Sequence, residues 1–185
     1  MTGVQTCALP ILEAGPESAW SEDSLVIAGY LAKQAAVAYW TACHHWAWTE
    51  QVPRTVFVQT PERVRTKMRK VMGVSYRFVH VQPGKFFGTT SRSAGQGQFA
   101  VTDREKTLVD ALDHPELCGG IGQVIEMLPG AAQAVNWERV DEYLKRLGSG
   151  AAYKRLGLLV EHLGEKVRIP GRAERVECWH SLLTG

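Results

Sequence analysis

The hydrophobic pattern of the chain changes within one stretch, VTDREKTLVD at residues 101–110. Upstream, β-branched and aromatic runs at 55–58 and 74–81 predict strands, and residues 85–88 and 97–101 bracket a polar hairpin or loop. Downstream, apolar residues recur at helical spacing. This spacing predicts helices near 103–113, 120–128, 137–147, 151–163 and 173–183. Strands followed by helices indicate an α+β fold, with a small mixed sheet in the N-terminal half packed against a helical C-terminal half.

Three other segments carry weaker patterns. Ser21 followed by two acidic residues is typical of a helix start, and the apolar spacing after it predicts a helix over about 21–32. The small and aromatic residues of 35–48 predict a buried helix or turn. Residues 61–72 are highly charged, and both a short helix and a strongly twisted strand fit them.

The composition is typical of a globular protein, because hydrophobic residues make up 45% and charged residues 22% of the 185. No apolar run approaches the roughly 20 residues needed to cross a bilayer, so we predict no membrane partner. The four cysteines lack CxxC spacing and indicate neither a zinc ribbon nor a disulfide framework, which favours the reducing cytoplasm. His44 and His45 would point about 100° apart on a helix, and we predict no metal site and no cofactor.

The first eleven residues, MTGVQTCALPI, look like a translated sequencing adapter. A signal peptide is the alternative, but the stretch has no basic start and its apolar run is too short. We therefore expect residues 1–11 to be an artefact, residues 12–185 to form one domain, and the natural reading frame to extend upstream.

The strongest local charge lies in residues 54–92, where nine Lys and Arg residues face the single acid Glu62, although the net charge of the whole chain is only +2. Such clustering is suited to nucleic-acid phosphates or to an acidic partner surface. The candidate binding residues are Arg63, Arg65, Lys67, Arg69, Lys70 and Arg77. The alternative is a solvated face whose charge is balanced in space by the acidic stretches on either side.

The stretch 102–110 has an enzymatic and an architectural interpretation. Asp103, Glu105 and Lys106 resemble the residues of metal-dependent PD-(D/E)xK nucleases, which need two carboxylates on one metal and a lysine near the attacking water. The spacing is poor for that chemistry, because all three lie within one helical turn. A capping box between Thr102 and Glu105, with Asp103 at the positive end of the helix, fits better. The chain also has no GxSxG nucleophile elbow and no phosphate-binding glycine loop.

Five stretches carry a family resemblance: WAWTEQ at 46–51, FFG at 86–88, VTDREKTLVD at 101–110, PELCGG at 115–120 and YKRLGLLVE at 153–161. In this order and spacing they resemble the C-terminal domain of AbiEi, the antitoxin of a type IV toxin–antitoxin system that is also described as a transcriptional regulator of viral defence. The resemblance covers nearly all of 12–185. Its motif positions, interpreted as structural, are Thr102, Asp103, Glu105, Lys106, Asp110, Gly119, Gly120, Arg155 and Gly157.

The residues themselves explain part of this motif. Lys106, Asp110 and Arg155 would link two helices by charge-assisted hydrogen bonds, and Asp110 and Asp113 would bind Arg residues or cap a turn. Gly119 and its neighbour would let the chain turn before the next helix, and Gly157 would let two helices approach closely.

The resemblance implies a binding function and no enzymatic activity. Members of the family join an N-terminal winged helix-turn-helix, which binds operator DNA and represses their own operon, to this domain, which counteracts a nucleotidyltransferase-like toxin without a stable complex. This sequence lacks the winged helix and ends at 178–185 where the family usually adds strands. We therefore predict a non-enzymatic antitoxin domain of phage defence. A metal-dependent nuclease relative and a nucleic-acid-binding module remain the alternatives.

Overall fold

A computed structural model describes the backbone of residues 20–181 and the side chains of residues 24–179, so the predicted artefact at 1–11 and the last residues lie outside the description. The helices are α1 (Trp20–Tyr30), α2 (Tyr39–His45), α3 (Arg104–Asp113), α4 (Ile121–Ala134), α5 (Trp137–Leu147), α6 (Gly150–Leu163) and α7 (Arg172–Ser181). The strands are β1 (Ala36–Val37), β2 (Thr55–Thr60), β3 (Met68–Val71), β4 (Val74–His80), β5 (Thr89–Ala94) and β6 (Gly97–Thr102).

The strands form one mixed sheet in the order β3-β4-β2-β1-β6-β5. Strand β2 runs parallel to β4 and β1 runs parallel to β6, while the other neighbouring pairs are antiparallel. The sheet lies in the N-terminal half and the later helices in the C-terminal half, which confirms the predicted α+β class. Strands β3 and β5 are the two edges of the sheet.

One face of the sheet packs against α1. Val56 pairs with Tyr76 and Val58 pairs with Phe78, so these four side chains point to the same face and are buried there. Apolar side chains of α1 cover them, and the hydroxyl of Tyr76 donates to a carbonyl of α1.

The other face packs against the C-terminal helices, and α3 lies at the centre of them. It contacts α2, α4, α5 and α6, and every residue from Glu105 to Leu112 is buried. The fully buried leucines of this core are Leu108, Leu112, Leu128, Leu144 and Leu156. Because α3 is surrounded, its polar side chains must find partners inside the protein.

The sequence left the secondary structure of two segments open, and contacts with distant parts of the chain determine it. Residues 35–48 form a short strand followed by α2, because β1 is held between β2 and β6. In 61–72 only β3 is regular, and it is a strand because it pairs with β4. The other predicted helices are present, although α4 continues through Pro129 to Ala134. None of the helices in the described part of the chain is both long and apolar enough to cross a membrane.

Candidate functional site

The start of α3 is capped by Asp103, and the predicted capping box between Thr102 and Glu105 is wrong. The carboxylate of Asp103 accepts a hydrogen bond from the backbone N–H of Lys106 at 2.8 Å. The hydroxyl of Thr102 lies 2.8 Å from that of Thr107, and the carboxylate of Glu105 accepts from the backbone N–H of Asn136, at the start of α5, at 2.8 Å. Strand β6 continues through Thr102, which moves the cap position one residue along the chain.

A buried ion pair lies one turn further along α3. The ammonium group of Lys106 contacts the carboxylate of Asp110, and both side chains are almost completely buried. The amide of Gln59 donates to the other oxygen of Asp110 at 3.2 Å and to the hydroxyl of Tyr39 at 3.0 Å. Burial raises the pKa of Asp110, although Lys106 and Gln59 both oppose this, and burial also raises the pKa of Tyr39. Lys106 is therefore committed to an internal partner and lies 5.0 Å from the ring centre of Phe87.

The three nuclease-like residues do not converge on one point. Asp103 and Glu105 both face Arg139, whose guanidinium nitrogens lie 2.8 Å and 3.5 Å from their carboxylate oxygens. The side chain of Lys106 points instead to Asp110. Burial raises the pKa of Asp103, against the hydrogen bonds from the Lys106 backbone and from Tyr143. Within the described side chains, no group of three or more His, Cys, Asp or Glu residues is placed to hold a metal ion.

Arg155 joins α6 to the end of α3 as predicted, but Lys106 and Asp110 take no part in this link, because they pair with each other within α3. Its guanidinium donates to the carbonyl of Leu112 at 2.8 Å and to the carbonyl of Asp113 at 2.9 Å. Because these carbonyls have no partner within the helix, Arg155 serves as a C-terminal cap of α3. Asp110 and Asp113 were predicted to bind arginines or cap a turn, but Asp110 binds Lys106 and Gln59, and Asp113 accepts from the hydroxyl of Ser149, the residue before α6.

Two glycines of the motif form the turn before α4. Gly119 and Gly120 both have positive φ, +81° and +94°, which confirms the predicted turn. A β-carbon on Gly119 would lie 2.8 Å from the side chain of Gln123 and 3.1 Å from Trp40, whereas one on Gly120 would meet nothing within 4 Å. Gly157 is buried within α6.

The predicted basic residues divide into two groups. Five are exposed on the loop before β3 and on the strands β3 and β4: Arg63, Arg65, Lys67, Lys70 and Arg77, which we call the basic edge. Arg69 differs, because it points to the opposite face, lies 5.2 Å from the ring centre of Phe78 and donates to the carbonyl of Leu31 at 3.3 Å. Arg69 therefore holds α1 on the sheet.

The basic edge is not neutralised from within the described protein. None of its five side chains forms an ion pair with a described carboxylate. The acidic side chains at 13, 17, 22 and 23, which belong to the flanking stretch predicted as an alternative source of balance, lie outside the described side chains. Lys70 pairs with Ser75 and Arg77 pairs with Met68, so Lys70 and Arg77 share one face of the sheet. Edge strands that carry charge in this way resist pairing with other chains and leave cations free for a ligand.

A second positively charged feature lies at the opposite edge of the sheet, and sequence analysis did not identify it. It is a cavity of about 380 Å³, which we call the Trp46 cavity. Its lining comprises Trp46, Thr89, Thr90, Arg92, Asp103, Arg104, Glu105, Ala134 and Arg139. Trp46 belongs to a quoted family stretch and Arg92 to the basic segment, but no local pattern indicates that they meet.

The indole of Trp46 is held firmly in this cavity. Its N–H donates to the carbonyl of Thr102 at 3.0 Å and lies 3.2 Å from the hydroxyl of Thr107. His45 packs edge-on against it with ring centres 4.8 Å apart. Burial lowers the pKa of His45, and the positive charge of Arg92 lowers it further.

Comparison of the chain with protein-family models and with curated proteins identified no match. The functional evidence is therefore the arrangement of the residues. The acidic residues and the lysine at the start of α3 have partners inside the fold, whereas two sets of cations, the basic edge and the arginines of the Trp46 cavity, face solvent.

Proposed function

We propose that this chain is a non-enzymatic antitoxin domain of the AbiEi type. In this proposal it acts in the cytoplasm, counteracts a nucleotidyltransferase-like toxin without a stable complex, and contributes to autorepression at operator DNA when a winged helix-turn-helix precedes it. The order and spacing of the five family stretches support the assignment to this type.

The observation that carries the proposal is the internal use of three charged residues of α3, namely Glu105, Lys106 and Asp110. Lys106 and Asp110 neutralise each other in the core, and Glu105 holds the start of α5. An active site needs groups that can reach a substrate, and these groups are turned toward the protein instead. A domain built in this way is suited to act through its surface.

The basic edge favours a second candidate function, nucleic-acid binding. Its exposed arginines and lysines have no ion-pair partner among the described residues, and unpaired surface cations are the groups that contact phosphates. This function is compatible with the first, because an antitoxin that does not hold its toxin in a stable complex can act on a shared nucleic-acid target.

Growth rescue tests the antitoxin proposal. The full chain is expressed together with a nucleotidyltransferase-like toxin from an AbiE-type operon, each from its own inducible promoter, and colony formation is measured. We expect the chain to restore growth. A folded chain, present at a level shown by immunoblotting to exceed that of the toxin, that fails to restore growth with toxins from several such operons would refute the proposal.

Fluorescence anisotropy tests the nucleic-acid function with short labelled duplex DNA and single-stranded RNA at increasing salt. We expect log Kd to depend linearly on log salt, and Arg65→Glu with Arg77→Glu to reduce the magnitude of the slope by roughly one per lost phosphate contact. The matched control is Lys154→Glu with Lys166→Glu, which makes the same change in net charge at exposed positions on the helical half. Equal effects of the two double variants would show that net charge, and not the basic edge, governs binding.

A further inference from the structure

Two arginines of the Trp46 cavity lie on one indole. The guanidinium carbon of Arg92 is 5.0 Å, and that of Arg104 is 5.1 Å, from the ring centre of Trp46. Arg92 is on the edge strand β5 and Arg104 is the first residue of α3, so both backbones are fixed by regular structure. Cation–π contact holds both guanidinium groups beside the same ring.

The acidic residues of the cavity do not neutralise this pair. Asp103 and Glu105 both face Arg139, and they also accept hydrogen bonds from the backbone N–H groups that begin α3 and α5. Arg92 and Arg104 form no ion pair with any described carboxylate. The positive charges of Arg92 and Arg104 therefore remain available to an anion that enters the cavity.

Other features of the cavity also favour an anion. Thr90 shares a strand face with Arg92, lines the cavity and carries a hydroxyl donor. The hydrogen bonds of Trp46 fix its ring, and the two arginines beside that ring are held by it before a ligand arrives. They therefore lose little conformational entropy when they bind. The volume of about 380 Å³ falls within the range of roughly 300–1,000 Å³ that small-molecule sites occupy.

We propose that the Trp46 cavity binds the phosphate group of a nucleotide, with Arg92 and Arg104 as its principal ligands. Guanidinium groups present paired N–H donors that match phosphate oxygens, and the hydroxyl of Thr90 is a further donor on the same strand face as Arg92. The remaining volume is available to the nucleoside. A free mononucleotide and the terminal phosphate of a nucleic-acid strand share this chemistry, and the experiment below separates them.

The probe is the indole N–H of Trp46 in two-dimensional NMR, assigned by its loss in Trp46→Phe. The full chain is titrated with inorganic phosphate, with adenosine monophosphate and with adenosine, and then with a short RNA oligonucleotide that either carries or lacks a 5′-phosphate. We expect saturable shifts with adenosine monophosphate and weaker binding of inorganic phosphate, with adenosine causing no shift. Tighter binding of the 5′-phosphorylated strand than of the mononucleotide identifies a strand end as the ligand, and the reverse order identifies a free nucleotide.

Arginine variants make the test specific. Arg92→Gln with Arg104→Gln keeps Trp46 as the probe and is expected to raise Kd by about tenfold or more for each guanidinium removed. Arg63→Gln with Arg65→Gln, which removes two exposed arginines from the basic edge, is the control and should leave the Kd for adenosine monophosphate unchanged. Absence of a saturable shift with any phosphate, equal affinity for adenosine, or equal loss in both double variants would overturn the proposal. Growth rescue does not enter this measurement, so the result is independent of the antitoxin proposal.

Discussion

Replacing Asp110 with asparagine removes the counterion of Lys106 and keeps the size of the side chain. Only 1% of the Lys106 side chain and 3% of the Asp110 side chain are exposed. Breaking one side of a buried ion pair leaves an uncompensated charge and should lower the free energy of unfolding by about 3–5 kcal/mol. Native domains are stable by only about 5–15 kcal/mol, so the variant should be strongly destabilised.

Two further variants separate charge from packing. Lys106→Met with Asp110→Asn removes both charges at similar volume. The side-chain amide of Gln59 still finds an acceptor, the amide oxygen introduced at position 110. We therefore expect the free energy of unfolding to recover to within about 1–2 kcal/mol of the wild type. Lys106→Met alone leaves a buried carboxyl whose pKa burial already raises. Its folded state then holds a proton that the unfolded state releases, so its stability is greatest in acid and is lost as the pH rises through the folded pKa.

Urea unfolding monitored by far-ultraviolet circular dichroism measures all three variants. The slope of the free energy against urea should stay constant, since the surface exposed on unfolding does not change. A loss below about 1 kcal/mol for Asp110→Asn would refute the buried-charge explanation. So would a double variant whose loss equals the sum of the two single losses, because the two residues would then be uncoupled.

Three shorter predictions concern other contacts of the fold. Gly119→Ala and Gly120→Ala should each lower the urea midpoint, because an added methyl group meets Gln123 and Trp40 at Gly119, while Gly120, with φ of +94° and ψ of 171°, has a backbone essentially restricted to glycine; an unchanged midpoint for either variant would contradict this. Arg155→Lys should lower the free energy of unfolding by about 1–3 kcal/mol, because the lysine side chain is one bond shorter and its ammonium does not reach the two carbonyls that Nη1 of Arg155 contacts; an unchanged urea midpoint would count against it. Arg92→Gln should raise the pKa of His45, because it removes a nearby positive charge, while burial still holds that pKa below its ordinary value; NMR titration of the imidazole decides this. Because the pKa of His45 is lower in the folded protein than in the unfolded chain, the neutral imidazole contributes to stability above the unfolded pKa of about 6.5. This contribution is lost as the pH falls from there through the folded pKa.

Local pattern was enough to predict most helices and the class of the fold. The predicted helix at 137–147 coincides with α5, because Asn136 caps its start and Gly148 has the left-handed backbone that ends it. The capping box failed for a long-range reason. Thr102 and Asp103 are both good caps, and the choice between them depends on strand β6, which pairs through Thr102 with the start of β5.

The Trp46 cavity could not be predicted in the same way. Trp46, Arg92 and Arg104 come from α2 and its following turn, an edge strand and the start of α3, and only the folded sheet brings them together. The ion pair of Lys106 was easier to foresee, since residues four apart share a helix face. Its depth of burial was not, because that depends on the helices packed around α3.

The two cationic features lie at opposite edges of the sheet, which constrains any ligand that contacts both. Strands β3 and β5 are separated by four intervening strands, or about 24 Å at roughly 4.8 Å per strand spacing. A mononucleotide cannot cover that distance, so its binding in the Trp46 cavity should be indifferent to charge changes at the basic edge. A single strand that rises about 3.4 Å per nucleotide needs roughly seven nucleotides to bridge the edges. If one strand occupies both features, the effect of Arg65→Glu on affinity should therefore be absent for shorter 5′-phosphorylated oligonucleotides and emerge near that length. An effect of equal size at every length would show that the two surfaces bind separately.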